Sequence, residues 1–244
     1  SAVRVNEWLA ADPNGDDWLE LYNPNAQPLD VSGLALSDNP SSRGKSPVPP
    51  LSFLGPGGYQ KMVADGQVGA AADHVNFRLN AEGGFIGLYW PIGTQIDALS
   101  YGLQTASVSQ GRFPDGAGSF SAFPNTASPG ERNYLLLTQV VINEVLSHTD
   151  PPLEDAVEIQ NLGPNAQDTS AWLLSNSERQ RRKFVVPSNT WIAPGGFKVF
   201  YEYEFGSNAS PAALAPFNFN SAHGDEAHLA QTDAAGTPTG WRAR

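Results

Sequence analysis

The sequence predicts an all-β protein built as two tandem β-sandwiches, the second without its final strands. Three observations carry that expectation. One stretch, VRVNEWLAADPNGDDWLELYN over Val3–Asn23, returns as VVINEVLSHTDPPLEDAVEIQN over Val140–Asn161. The spacing between matched motifs is nearly constant: Asn143 follows Asn6 by 137 positions, and Glu158, Asp168 and Pro194 follow Glu20, Asp30 and Pro56 by 138. Finally, 24 Gly and 20 Pro punctuate short alternating apolar runs, which is the rhythm of strands and tight turns rather than of helices.

Composition narrows the classes. The 244 residues are 40% hydrophobic and only 16% charged, the balance of a globular chain long enough for two domains of ordinary size. Net charge is −11, and an acidic surface repels phosphate backbones, so no nucleic-acid partner is expected. No cysteine is present, which excludes disulfides, thiolate metal sites and cysteine nucleophiles. No apolar run approaches the ~18 residues of a membrane span, and no signal-peptide pattern is visible.

Along the first copy, Val3, Val5 and Leu9 alternate with Arg4, Asn6 and Trp8, the period of a half-buried strand. Glu7 then falls on the apolar side, as Glu144 does beside Val140, Ile142 and Leu146. An acid there must find donors or lie at a strand end where water reaches it. The loop Asp12–Asp17 follows. In the next strand Leu19 and Leu21 face one way and Trp18, Glu20 and Tyr22 the other. Asn23-Pro24 and Asn161-Leu162-Gly163 are turns in which asparagine bonds its own backbone. Asp30–Asp38 is matched by Asp168–Asn176. Pro56-Gly57-Gly58-Tyr59 and Pro194-Gly195-Gly196-Phe197 each launch a strand from a tight turn.

The copies differ at their ends. The first continues through Gln110–Gly116 and closes on Ser128-Pro129-Gly130-Glu131-Arg132-Asn133, whereas the second has no counterpart for residues 97–133. The expected division is 1–133, an apolar linker at 134–139, and 140–244. A sandwich without its last strands keeps an open edge, so either a longer protein continues it or something else covers it. The apolar linker predicts that the two copies touch.

These motifs resemble the lamin tail domain, an immunoglobulin-like β-sandwich found at the end of nuclear lamins and in many bacterial exported proteins. The residues carrying the resemblance are Val5-Asn6-Glu7, Trp18 through Asn23, Pro56 through Tyr59 and Tyr101 through Gly116. In the second copy they are Ile142-Asn143-Glu144, Val157 through Asn161 and Pro194 through Phe197. Ala156 departs from the pattern where the first copy has Trp18. The resemblance implies two immunoglobulin-like β-sandwiches of lamin-tail type in an extracellular or cell-surface bacterial protein. Their role would be that of an adhesive or accessory module with a protein or polysaccharide partner. No heptad run accompanies them, so filament assembly is not implied.

Candidate chemistry is sparse. No G-x-S-x-G, H-E-x-x-H, G-x-x-x-x-G-K or G-x-G-x-x-G occurs, so no enzyme is expected and no cofactor beyond a candidate calcium ion. Asp12, Asn14, Asp16 and Asp17 gather hard oxygen ligands in six residues, which suits calcium, against the alternative of a solvated Asn-Gly turn. His223 through His228 mixes imidazole and carboxylate ligands in a polar turn. Arg179, Arg181, Arg182 and Lys183 form the basic run, a candidate anion or partner contact against a solvated hairpin tip. Trp8, Trp18 and Tyr22 are the candidate aromatic face for stacking on sugars, against a role in covering the sandwich.

Overall fold

A computed structural model describes residues 3–13, 15–147, 149, 153–177 and 180–243. The chain is nearly all-β and divides into two compact units, Ser1–Tyr134 and Leu135–Arg244.

Among the described residues the first unit holds eleven strands. They are β1 (Arg4–Leu9), β2 (Trp18–Tyr22), β3 (Leu29–Asp30), β4 (Ala35–Ser37), β5 (Ser46–Pro47), β6 (Phe53–Leu54), β7 (Tyr59–Val63), β8 (Gly84–Tyr89), β9 (Gln95–Tyr101), β10 (Val108–Arg112) and β11 (Phe120–Pro124). One sheet runs β11-β10-β1-β2-β7 and another β5-β4-β8-β9, with β3 paired to β6. Val5, Trp8, Leu19 and Leu21 from the first sheet meet Leu36, Ile86, Leu88 and Leu99 from the second in one apolar core. Each such side chain contributes about 1.5–3 kcal/mol on burial, so this layer is the main stabilising term. The arrangement is consistent with a β-sandwich.

The alternation expected along β1 breaks at a bulge between Val5 and Glu7. Val5 pairs with Leu21 and Trp8 with Leu19, so Trp8 turns into the core, whereas Glu7 pairs with Glu20 on the opposite face. A bulge sets two residues against one and reverses the phase of everything after it. Glu7 is therefore not on the core face, and Trp8 does not point outward.

The second unit holds β12 (Leu135–Leu136), β13 (Val140–Leu146), β14 (Ala156–Asn161), β15 (Gln167–Asp168), β16 (Leu173–Ser175), β17 (Phe184–Val185), β18 (Trp191–Ile192), β19 (Phe197–Tyr201), the short helix α1 (Glu202–Phe205), β20 (His228–Thr232) and β21 (Pro238–Ala243). Its sheets are β13-β14-β19 and β12-β21-β20-β16-β17, with β15 paired to β18. The pairings β13·β14, β14·β19, β16·β17 and β16·β20 repeat β1·β2, β2·β7, β4·β5 and β4·β8, with the bulge again at the glutamate, between Ile142 and Glu144. Among the described residues no strand stands where β10 and β11 stand in the first unit. The segment expected as a linker at 134–139 contains β12, which pairs in parallel with β21 through Leu135↔Trp241 and Leu136↔Arg242. That backbone pairing makes it an edge strand of the second unit rather than a free connection.

Matched asparagines hold matched turns. Asn23 Nδ2 donates to the carbonyls of Gln27, Leu54 and Gly55, and Asn161 Nδ2 to those of Asn165, Ile192 and Ala193. One position is matched in shape but not in residue. Gly33 has φ of 72° and donates its N–H to the Val48 carbonyl; Ala171 has φ of 65° and donates to the Val186 carbonyl. A Cβ in the left-handed region is strained. Ala171→Gly is therefore expected to stabilise the second unit by about 1 kcal/mol, and Gly33→Ala to destabilise the first by a similar amount, as read in denaturant melts of each variant.

Candidate functional site

The densest set of polar side chains lies on the face of the first sheet turned away from the core. The bulge in β1 places Asn6 and Glu7 there, and the regular alternation of β2 adds Glu20. Asn6, Glu7 and Glu20 are all 0% exposed. Strand β10 lies against β1 in the register Glu7↔Gly111, and the closing segment Ser128–Asn133 folds over both.

Donors converge on the two carboxylates. Ser109 Oγ donates to Glu7 Oε1 at 2.5 Å, and the Ser128 N–H reaches both Glu7 oxygens at 3.3 Å. Asn6 Nδ2 donates to Glu20 Oε1 at 3.1 Å and to Asp115 Oδ1 at 3.0 Å, and the Gly130 N–H donates to Glu20 Oε2 at 2.6 Å. Asn133 donates its backbone N–H to Asp115 Oδ1 and its side-chain amide to the Arg112 carbonyl at 2.9 Å. Tyr59 Oη donates to Asp115 Oδ2 at 2.9 Å, with Arg132 Nε 3.4 Å from the same oxygen. Beside the cluster, the Arg112 guanidinium bridges the Val5 carbonyl and both oxygens of Asp97.

Burial dominates the proton affinities despite those donors. Loss of water pushes the Glu7 carboxyl up to about 7. It pushes Glu20 up to about 9, with the charges of Glu7 and Asp115 adding to the effect. Burial also raises Tyr59, reinforced by Asp115. Two facing glutamates with separated proton affinities are the raw material of acid–base catalysis. Here, however, every carboxylate oxygen of the pair already accepts a hydrogen bond and neither side chain reaches solvent.

The residues singled out from sequence are dispersed. Trp8 is 2% exposed, packed against Tyr101 and Phe120 with ring centroids 5.8 and 5.5 Å away. Trp18 is 3% exposed with Lys61 over its ring, and half-buried Tyr22 stacks on Tyr59 at 4.8 Å. The expected aromatic face of Trp8, Trp18 and Tyr22 is thus split between the two sides of the sheet by the bulge, and its tryptophans are buried.

In the acidic loop Asp16 is exposed. The Asp17 carboxylate is half-buried, its proton affinity raised by burial, and accepts from backbone N–H groups of Asp12 and Leu79. Asn14 lies outside the described residues. Among the described residues no three acidic or imidazole side chains gather closely enough to hold a metal ion. His228 Nε2 instead meets Glu226 Oε2 at 2.8 Å.

The described residues of the basic run differ in their surroundings. Arg179 lies outside the described residues, Arg181 is half-buried with a partner of its own, and Arg182 is exposed. Lys183 Nζ donates to Asn176 Oδ1 at 2.6 Å over the Phe217 ring, as Lys45 does to Asp38 at 2.6 Å over Phe77. These two lysines are clamps within their own units.

Sequence reasoning placed Glu7 and Glu20 among the defining motifs but missed Ser109, Asp115, Ser128 and Asn133 as their partners. The signal was the pair of polar segments present only in the first copy, Gln110–Gly116 and Ser128–Asn133. Comparison with protein-family models, with curated proteins and with solved structures gave no match.

Because both folded proton affinities are raised, the fold holds protons that the unfolded chain has released. Their contribution is full below about pH 4.5 and is lost as pH climbs through about 7 for Glu7 and about 9 for Glu20. The first unit is expected to lose stability between pH 5 and 9, by up to about 1.4 kcal/mol per pH unit for each carboxyl titrating. Glu20→Gln should flatten the upper part of that fall, with the opening energies of β1 and β2 followed by hydrogen exchange across pH.

Proposed function

We propose that the chain is a pair of immunoglobulin-like β-sandwiches of lamin-tail type. They act as a non-catalytic interaction or structural module of a larger, exported or cell-surface bacterial protein. The family reading rests on the ordered motifs from Asn6-Glu7 to Pro56-Gly57-Gly58 and their repeats, supported by pairings that recur with the bulge at the same glutamate. The non-catalytic reading is carried by one observation: the two facing glutamates are sealed, at 0% exposure, under strand β10 and the Ser128–Asn133 segment.

The alternative, a polysaccharide-binding accessory module attached to a hydrolase, needs an exposed row of coplanar rings. Trp8, Trp18 and Tyr22 do not supply one. Tyr201 and Tyr203 are exposed, but their rings stack on each other at 5.9 Å rather than lying side by side. Trp8 and Trp18, the tryptophans expected to stack on a sugar, are buried, which supports the protein-partner reading.

A turnover screen tests the reading. The 244-residue protein, offered ester, glycosidic, peptide and phosphodiester substrates with and without calcium or magnesium, is expected to release no product above buffer. Any turnover that Glu7→Gln or Glu20→Gln abolishes would overturn it.

A further inference from the structure

The first unit keeps a hollow at a place where the second sets a ring. A cavity of ≈ 270 Å³ opens between β6, the core-facing side of β7 and the loop at Ala72-Asp73. Its floor is Leu21, Val31, Val48, Leu54 and Met62, none more than 6% exposed. The Asp73 carbonyl accepts from the Val63 N–H at 2.8 Å, which ties the loop to the end of β7. In the second unit the strand pairings put Phe200 at the place of Met62, 0% exposed and edge-on to Phe184 at 5.4 Å. The framework thus accepts a ring at this position, and protein interiors rarely leave voids larger than a water without use.

The mouth presents acceptors. Gln60 Nε2 donates to the Lys61 carbonyl and Ser52 Oγ to the Pro49 carbonyl, both at 2.8 Å. Each side chain turns a donor into the backbone and leaves its oxygen as an acceptor. Asp73 adds a carboxylate that makes no hydrogen bond or ion pair among the described residues. On a chain of net charge −11, such a mouth attracts a cation with N–H donors and repels an anion. The second unit carries its own cation here: at the place of Gln60 it has Lys198, whose Nζ lies 5.2 Å from the centre of the Phe200 ring. Ring and ammonium take the two places that Met62 and Gln60 hold in the first unit. The rim points the same way. Leu51 lines the cavity at φ 62° and is 87% exposed, whereas Asn189 holds the matched turn at φ 60°. Asparagine tolerates the left-handed region; leucine is strained there, and at this exposure it buries little of its side chain. An apolar ligand would give that side chain a contact.

We propose that this cavity is a binding site for a small primary amine with an apolar body, an alkyl- or arylalkylammonium ion. The cavity has the volume of about nine waters, which suits a ligand of about nine non-hydrogen atoms. The apolar body fills the space over Met62 and beneath Leu51. The ammonium donates to the Asp73 carboxylate, Gln60 Oε1 and Ser52 Oγ. The site lies on the opposite face of the sheet from the buried glutamates and goes beyond the interaction-module reading, so it stands or falls without either.

Met62 is the one methionine of the chain, so an isotope-labelled methyl group gives a single NMR signal at the cavity floor. Phenethylamine titrated into the 244-residue protein is expected to shift that signal saturably, with a Kd of about a millimolar or tighter. Phenethyl alcohol, the neutral analogue, is expected to bind at least about tenfold more weakly, and the anion hydrocinnamate not to saturate. Asp73→Asn is expected to bring the amine down to the affinity of the alcohol and to leave the alcohol's own affinity unchanged. Gln60→Lys, which copies the second unit at an exposed position and keeps the Met62 probe, is expected to weaken the amine by at least about tenfold as well. A Met62 signal unmoved by the amine, equal affinity for amine, alcohol and carboxylate, or amine binding that survives both substitutions would overturn the proposal.

Discussion

Two carboxylates at a bulge hold the first unit to a particular closure. Glu7 and Glu20 are buried on the face of the sheet turned away from the core, and their donors come from far along the chain: Ser109 and Ser128 are 102 and 121 residues from Glu7. A buried acid left without donors costs several kcal/mol, so the strand, the hairpin beside it and the closing segment form as one arrangement. The same bulge that exposes Glu7 to those donors turns Trp8 into the core. The polar seal and the apolar layer thus depend on a single extra residue in one strand.

The two units show the same framework under different conditions. In the first, Trp8, Trp18 and Tyr22 fill space beneath or beside other elements. In the second, their places are taken by Val145, Ala156 and Gln160, smaller or more polar side chains. Glu144 keeps its place but meets water instead of serine and backbone N–H groups. Among the described residues, the sealed network has β10 and the Ser128–Asn133 segment against it, and the open one has no such strand.

Features governed by local backbone chemistry were legible in the sequence. Asn23 and Asn161 could be read as turn residues, and the Pro-Gly-Gly turns as strand starts, because their hydrogen bonds and dihedrals are set within a few residues or a neighbouring strand. The phase of β1 was not legible. Alternation extrapolated through Val3 and Val5 puts Glu7 inside and Trp8 outside, and nothing local marks the bulge. Its only trace was an acid on an apolar phase, in both copies. The partners of that acid were hidden for a different reason: Asp115, Ser128 and Asn133 lie in loops with no periodicity, brought in by pairing between distant strands. Lys183 misled in the opposite sense, because its cationic run suggests a surface contact while Asn176 and Phe217 hold it inward.

The short strand that opens the second unit has a mechanical consequence. Leu135–Leu136 runs parallel to Trp241–Arg242, and Leu137 donates to the Arg242 carbonyl at 2.7 Å. Tension applied to the two ends of this unit pulls parallel neighbours in opposite directions along their length. The connecting bonds are then loaded together in shear instead of peeling apart one at a time. A module strung between fixed points would resist stretching at this seam first, and its yield would be set by how fast those bonds break together.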